Sequence, residues 1–263
     1  MSLFPHHKQT VQNIKHEFIN DRSIIAILLG GSLAHGYAKE NSDVDIIFVL
    51  TDEEYDRRKK ADALLYFNRE LCTYPEGYVD GKCVNYQYLQ QVKDDGNEPT
   101  KYAFKDASFI FCRDDKIRTI VEQIPVFDTA TRNEHAKRFF AQILAWKWFF
   151  SEGKKHGNLY LMNTAINNFI LYSCRLILNH NNLLYPYHKW LLAEVGKAER
   201  KPARYLENIK KLQTTRKGKI MDRIYGDIKN MEICEFDETK WSTYFHKDVE
   251  TTWMVHEPYI ADI

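Results

Sequence analysis

The sequence predicts an α/β (α+β) domain over residues 1–120, followed by an all-helical domain over residues 121–263. Two observations carry that division. Short, continuously apolar stretches at 23–29 and 44–50 are bounded by turn or capping residues and suit buried strands. Beyond residue 131, aromatic and aliphatic side chains recur every three or four positions, with no further strand pattern before the tail. Pro125 stands between the two regimes, so the boundary is expected within 113–131.

In the first domain a helix is expected over 11–20, then a strand ending at Gly30 and Gly31, then a short helix from Ser32. Thr51 before Asp52, Glu53 and Glu54 has the form of an N-cap with acids on the first turn, which marks a helix over 52–68. Asp80 and Gly81 signal a two-residue turn, and Cys83, Asn85 and Gln87 alternate with Val84, Tyr86 and Tyr88, so 78–89 is expected to be a β-hairpin. A short strand at 107–112 completes this half. In the second half Phe139, Ile143, Trp146 and Phe150 share one face of a helix over 132–152. A second helix over 159–178 is interrupted by Asn163, Asn167, Asn168 and Arg175, which suits a bundle and not a bilayer. Pro186 is expected to start a further helix.

Composition narrows the classes of function. Thirty-seven Lys and Arg against 36 Asp and Glu leave a formal charge of +1, so no global field draws the chain to nucleic acid or anionic lipid. Any polyanion site must be local. Cys72, Cys83, Cys112, Cys174 and Cys234 are odd in number and lack a C-x-x-C pair, so they read as reduced thiols and not as a disulfide framework or structural zinc. Pro5, His6 and His7 stand where a signal peptide would be apolar, and no apolar run approaches membrane-spanning length. A cytoplasmic location is the expectation.

The residues that carry chemistry cluster early. Gly30 and Gly31 let a backbone approach a phosphate closely, and Ser32 can donate a hydrogen bond to it. Ser42, next to Asp43, joins Gly31 and Ser32 as an expected nucleotide contact. Asp43 and Asp45 are two residues apart on a strand, so both carboxylates project to one face and can converge on hard cations, for which magnesium is the natural choice. Two such ions can clamp a nucleotide, one activating an attacking hydroxyl and the other holding the phosphates and the leaving pyrophosphate.

Glycine-serine, a glycine four residues after the serine at Gly36, and then D-x-D at Asp43 and Asp45 together resemble the signature of the DNA polymerase beta nucleotidyltransferase superfamily. The resemblance covers residues 24–50 as a motif and the first half more loosely. It implies a small mixed sheet with flanking helices. With a helical second half, the chain is similar to the aminoglycoside- and lincosamide-type antibiotic nucleotidyltransferases, in which a helical domain closes over the nucleotide and binds the acceptor. The resemblance therefore implies a two-magnesium enzyme that moves a nucleoside monophosphate from a nucleoside triphosphate, ATP being expected, to a hydroxyl of a small, antibiotic-like acceptor. Antibiotic resistance is the corresponding biological expectation.

The superfamily adds a third carboxylate from a neighbouring strand, and the stretch 82–89 offers only the amides Asn85 and Gln87. Asp80 is the nearest acid. Three readings stay open: Asp80 acts as the metal ligand through a shifted hairpin, Asn85 serves as a weaker catalytic ligand, or transfer has been lost and the protein is a nucleotide-binding sensor. By the same resemblance Lys189, within the aromatic and basic stretch 184–190, is expected to reach the triphosphate, with Tyr185 or Tyr187 stacking on a ring. The plainer alternative is a core helix with an exposed lysine. His35 and His188 read as packed histidines, and Glu98 and Asp106 as loop acids with an alternative role as base. The aromatic tail over 241–253 reads as core cover. The stretch 197–219 carries nine Lys or Arg against Glu199 and Glu207. It reads as a solvated helical face, the alternative being contact with an RNA or protein acceptor.

Overall fold

The computed structural model describes residues 3–255. The chain divides into two compact units, residues 1–126 and 127–263. In the first unit α1 (Pro5–Phe18) begins earlier than apolar spacing suggests, because Pro5 at its first turn is pre-set for a helix start. It leads to β1 (Ile24–Leu29), the short α2 (Gly31–Ala34), β2 (Val44–Leu50) and α3 (Asp52–Lys60). The Thr51 hydroxyl accepts from the Glu54 amide at 3.4 Å, as an N-cap does.

Two expectations fail between 52 and 95. Helix α3 stops at Lys60 and not at residue 68: Asp62 turns the chain through a left-handed backbone (φ 53°), and β3 (Leu65–Asn68) follows. Tyr66 on that strand packs edge-on to Phe18 and Phe48, with ring centroids 5.7 and 5.2 Å away. There is also no hairpin over 78–89. Asp80 and Gly81 lie inside one strand, β4 (Val79–Val84), and Asn85 ends it by capping α4 (Tyr86–Asp95). Gly81 has a packing reason: a Cβ there would lie 2.9 Å from Ile46 Cγ1 and 3.3 Å from the Ile46 carbonyl oxygen. Helix α5 (Glu98–Tyr102), β5 (Ser108–Cys112) and α6 (Asp115–Gln123) complete the unit.

The five strands form a mixed sheet in the order β3-β4-β2-β1-β5. Strand β2 runs parallel to β4, and the other pairs are antiparallel. One face packs Ile27, Leu29, Ile46 and Phe48 on Ile14 of α1. The other packs Ala26, Leu28, Ile47, Val49 and Val84 on Leu89 and Val92 of α4 and Ile117, Ile120 and Val121 of α6. That packing explains why the first unit extends past α6 to residue 126.

The second unit is helical: α7 (Arg132–Lys155), α8 (Leu159–His180), α9 (Leu191–Lys197), α10 (Tyr205–Thr215), α11 (Gly218–Lys229) and α12 (Trp241–Phe245). Phe140, Ile143, Phe150, Phe169, Ile177 and Ile224 are buried in one core, in which the Tyr205 hydroxyl meets Ser173 Oγ at 2.7 Å. Pro186 starts no helix. The chain is irregular there, Tyr187 is left-handed (φ 64°), and α9 begins only at Leu191. In the tail Phe245 is buried against Trp146 and Phe149, whereas Trp253 is exposed. The five cysteines are free thiols, and among the described residues no helix is long and apolar enough to cross a membrane.

Because a Cβ at position 81 would meet Ile46 at less than normal contact distance, Gly81→Ala is expected to strain the β2–β4 pair and cost about 1–3 kcal/mol of stability. Urea unfolding followed by circular dichroism checks this. An unchanged midpoint would mean that the Ile46 side chain yields without cost.

Candidate active site

The glycine turn closes directly onto β2. The Gly30 amide donates to the Asp45 carbonyl at 2.9 Å, and Gly31 adopts a left-handed backbone (φ 58°). A Cβ on Gly31 would lie 1.7 Å from Asp45 Oδ2, so the carboxylate of Asp45 occupies the space a side chain would need. Glycine is required there twice, by conformation and by contact. Ser32 follows, 5% exposed, and its hydroxyl has no hydrogen-bond partner among the described residues. A buried hydroxyl without a partner costs about 1–3 kcal/mol, so an acceptor such as a phosphate oxygen would be favourable there.

Asp43 precedes β2 and Asp45 lies on it, two residues apart in extended chain. Asp45 pairs in register with Asp80 across the parallel β2–β4 ladder. Laterally paired residues project to the same face from strands about 4.8 Å apart, so Asp80 stands beside Asp45. Asp45 is half-buried and Asp80 exposed. The first of the three open readings, Asp80 in the third position, thus has a structural basis, although it arises from an unbroken strand and not from a shifted hairpin.

Asn85 is not brought to these carboxylates. It lies five residues beyond Asp80, about 16 Å along an extended strand. There its oxygen accepts from the Tyr88 amide at 2.9 Å, and its nitrogen donates to Asp52 Oδ1 at 2.8 Å. Both functional groups of the amide are committed to capping α4 and tying it to α3. Ser42 is likewise structural: its hydroxyl accepts from the Lys39 amide at 2.8 Å, and its carbonyl accepts from His7 Nε2 at 3.0 Å and from the Tyr74 hydroxyl at 2.7 Å. Burial lowers the pKa of the His7 imidazole below its ordinary value, and the bond to the Ser42 carbonyl opposes that shift. His35 is buried against Tyr102, with Nδ1 3.7 Å from Asp106. Glu98 opens α5.

Sequence reasoning missed the residues that flank the carboxylates. Tyr78 and Lys82 alternate with Asp80 on one face once 79–84 is read as a strand. That alternation was the available signal. The Tyr78 hydroxyl donates to Asp43, and this bond, reinforced by the charges of Asp43, Asp80 and Asp45, raises its pKa. Burial lowers the pKa of Lys82, while the nearby Asp45 pulls it back up. Phe67, registered opposite Asp80 on β3, is 59% exposed and lies 5.3 Å from the Tyr78 ring. The Arg69 guanidinium sits 5.5 and 5.8 Å from the centroids of those two rings.

Residues 12–116 match the family described as "Polymerase beta, Nucleotidyltransferase". Those residues are similar to a polymerase beta-type nucleotidyltransferase domain. A search of curated protein sequences returned no significant match. Among solved structures the chain is similar to a nucleotidyltransferase-like protein from Exiguobacterium sibiricum, at 13% identity and a TM-score of 0.47, over 97% of this chain and 83% of that one. It is also similar to the spectinomycin adenyltransferase AAD(9) from Enterococcus faecialis, crystallised with ATP and spectinomycin, at 13% identity and a TM-score of 0.31, over 84% of this chain and 99% of that one.

Such a nucleotidyltransferase domain implies a divalent metal. Among the described residues no three His, Cys, Asp or Glu side chains are gathered closely enough to hold one by themselves. The donor set nevertheless fits magnesium, a hard cation usually held by one or two carboxylates with the remaining positions left to water and substrate phosphates. The turn fits as well: Gly31 packs against the Asp45 carboxylate, and the next residue, Ser32, holds a buried hydroxyl with no partner among the described residues. Lys189 belongs to the second unit, in the turn before α9, with its ammonium 5.1 Å from the Trp190 ring centroid. Tyr185 is buried beneath the Arg175 guanidinium, while Tyr187 is exposed.

Gly31→Ala is expected to displace the Asp45 carboxylate and to destabilise the domain by about 1–3 kcal/mol. The midpoint of thermal unfolding reads the loss. A variant as stable as the parent would contradict the close contact described above.

Proposed function

We propose that the protein transfers a nucleoside monophosphate from a nucleoside triphosphate, with ATP as donor, to a hydroxyl of a small, antibiotic-like acceptor. The observation that carries this reading is the row of Asp43, Asp45 and Asp80 on one sheet face beside a glycine turn with a partnerless buried serine hydroxyl. Gly30, Gly31 and Ser32 would bind the triphosphate, and Asp43, Asp45 and Asp80, together with water and the phosphates, would hold two magnesium ions. When bound, magnesium supplies charge neutralisation at the phosphates and acidifies the acceptor hydroxyl. In the transfer the acceptor oxygen bonds to the α-phosphorus, and the bond from that phosphorus to the α–β bridging oxygen breaks. Pyrophosphate departs with the electron pair. The hydroxyl proton passes to water or to the exposed Asp80 carboxylate. Tyr78 orients Asp43 through its hydroxyl. Lys189 enters this proposal on the sequence alone, as a triphosphate contact.

The pairing of Asp80 with Asp45 favours the reading with Asp80 in the third position over a sensor without turnover. A protein or RNA acceptor has no specific observation in its favour over a small molecule at this site.

Calorimetry with ATP and magnesium, followed by a pyrophosphate-release screen over hydroxylated small molecules, tests the reading. Asp45→Asn and Asp80→Asn are each expected to lower turnover at least a hundredfold. Asn85→Asp is expected to raise it not at all, since a carboxylate there faces Asp52 and lies far from the site. A protein that binds no nucleotide would remove the proposal, and increased transfer by Asn85→Asp would return the third position to residue 85.

A further inference from the structure

The basic stretch 197–219 divides into two halves. In the first, every cation is engaged: Lys197 Nζ lies 2.6 Å from Glu194 Oε1, and Arg200 donates to the His180 carbonyl at 2.7 Å. Lys201 donates to the Ala198 carbonyl, and Arg204 pairs with Glu207 at 2.8 Å. In the second half the side chains of Lys210, Lys211, Arg216, Lys217 and Lys219 are exposed and have no ion-pair partner among the described residues.

Three of these unpaired cations converge. Arg216, Lys217 and Lys219 line a cavity of about 810 Å³ within the second unit, together with Lys147 and Lys154 of α7. Asp222 is the acid in that lining, and Lys147 already holds it at 3.1 Å while lying 4.2 Å from the Tyr225 ring centroid. Lys154, Arg216, Lys217 and Lys219 therefore share one space whose lining, among the described residues, has no anion left to offset them. Like charges gathered in this way repel, and the arrangement becomes favourable when an anion enters. Arg216 reaches this position with a left-handed backbone (φ 51°) at the end of α10, where glycine is the usual residue. Trp148, 49% exposed, forms an apolar wall of the same cavity.

We propose that this cavity binds a compact, multiply phosphorylated small molecule. Its phosphates lie against Lys154, Arg216, Lys217 and Lys219, and its carbon skeleton or ring lies against Trp148. The volume is that of a small-molecule pocket. A nucleic-acid strand would need a continuous basic track, and the engaged first half of the stretch interrupts it. The site is independent of the transferase reading, since it involves neither metal nor any residue of the first unit.

The test is titration of the full chain with inorganic tripolyphosphate at low salt with EDTA present, so that metal-dependent nucleotide binding is silent. Binding is expected at one equivalent, with a change in tryptophan fluorescence that Trp148→Phe removes. The pair Lys154→Glu and Lys217→Glu is expected to weaken binding at least tenfold. Lys210→Glu with Lys211→Glu, the same change of charge outside the cavity, is expected to leave it within twofold. Equal weakening by both pairs, or no binding by the parent protein, would overturn the proposal. So would a single-stranded RNA oligonucleotide that binds at least tenfold tighter than tripolyphosphate and is weakened by both pairs, because that pattern belongs to a nucleic-acid surface.

Discussion

The parallel pairing of β2 with β4 sets Asp45 beside Asp80, and in that register a side chain at position 81 would collide with Ile46. A slip of one residue would send Asp80 to the opposite face, among Ile46, Phe48 and Cys83, and bring apolar side chains into the carboxylate row. The same central strand governs the phosphate turn. Strand β1 runs antiparallel to β2, so Gly30 arrives opposite Asp45 and donates to its carbonyl, and Gly31 follows under the Asp45 carboxylate. Asp45 is therefore the common neighbour of the turn, through backbone and side chain, and of the second strand, through the ladder. Its position fixes the distance between what would hold the phosphates and what would hold the metal.

Carboxylates placed together repel one another unless compensated. Two groups of the chain supply part of the compensation, since the Tyr78 hydroxyl donates to Asp43 and Lys82 brings an ammonium near Asp45 from the next position on the same face of β4. Neither neutralises Asp80 in full, and Asp80 is exposed. Such a row leaves the exposed Asp80 carboxylate open to added positive charge. A fully paired row would have no affinity left for a cation. Removing Lys82 would alter that balance by a different route from removing a carboxylate, because its ammonium is itself partly withdrawn from water.

What the sequence made legible follows local chemistry closely. Strands β1, β2 and β5, the Thr51 cap and helices α7 and α8 were readable because each rests on a short apolar run, a capping side chain or a 3.6-residue period. The two misread stretches share a cause: a local signal was overridden by a contact distant in sequence. Asp80 and Gly81 have the composition of a tight turn, yet Gly81 is demanded by Ile46, thirty-five residues earlier, and no local pattern reports that. Asn85 looked like a strand residue beside a catalytic position, but its amide is satisfied by Asp52 and Tyr88 at the start of a helix. In the site, the glycine turn and the two aspartates were visible as a motif. Asp80 was one of the open readings, but its place beside Asp45 and its neighbours Tyr78, Lys82 and Phe67 became visible only with the register of three strands.

The second unit shows the same limit in its charge pattern. Counting nine cations in 197–219 treats them alike, whereas folding sorts them by what lies within reach. Those before α10 find carbonyls and carboxylates at short range, and each is consumed in holding a turn or a helix end. Those after α10 meet α7, where Lys147 and Lys154 are seven residues apart and so lie two turns apart on one side of the helix, with Ser151 between them. The apolar stripe of α7 through Ile143 and Phe150 enters the core. The lysine stripe beside it is left to face 216–219. A core helix with a cationic flank, opposed by a cationic turn, concentrates charge more than either segment's composition suggests, and a bounded cavity gives that charge a ligand-sized form.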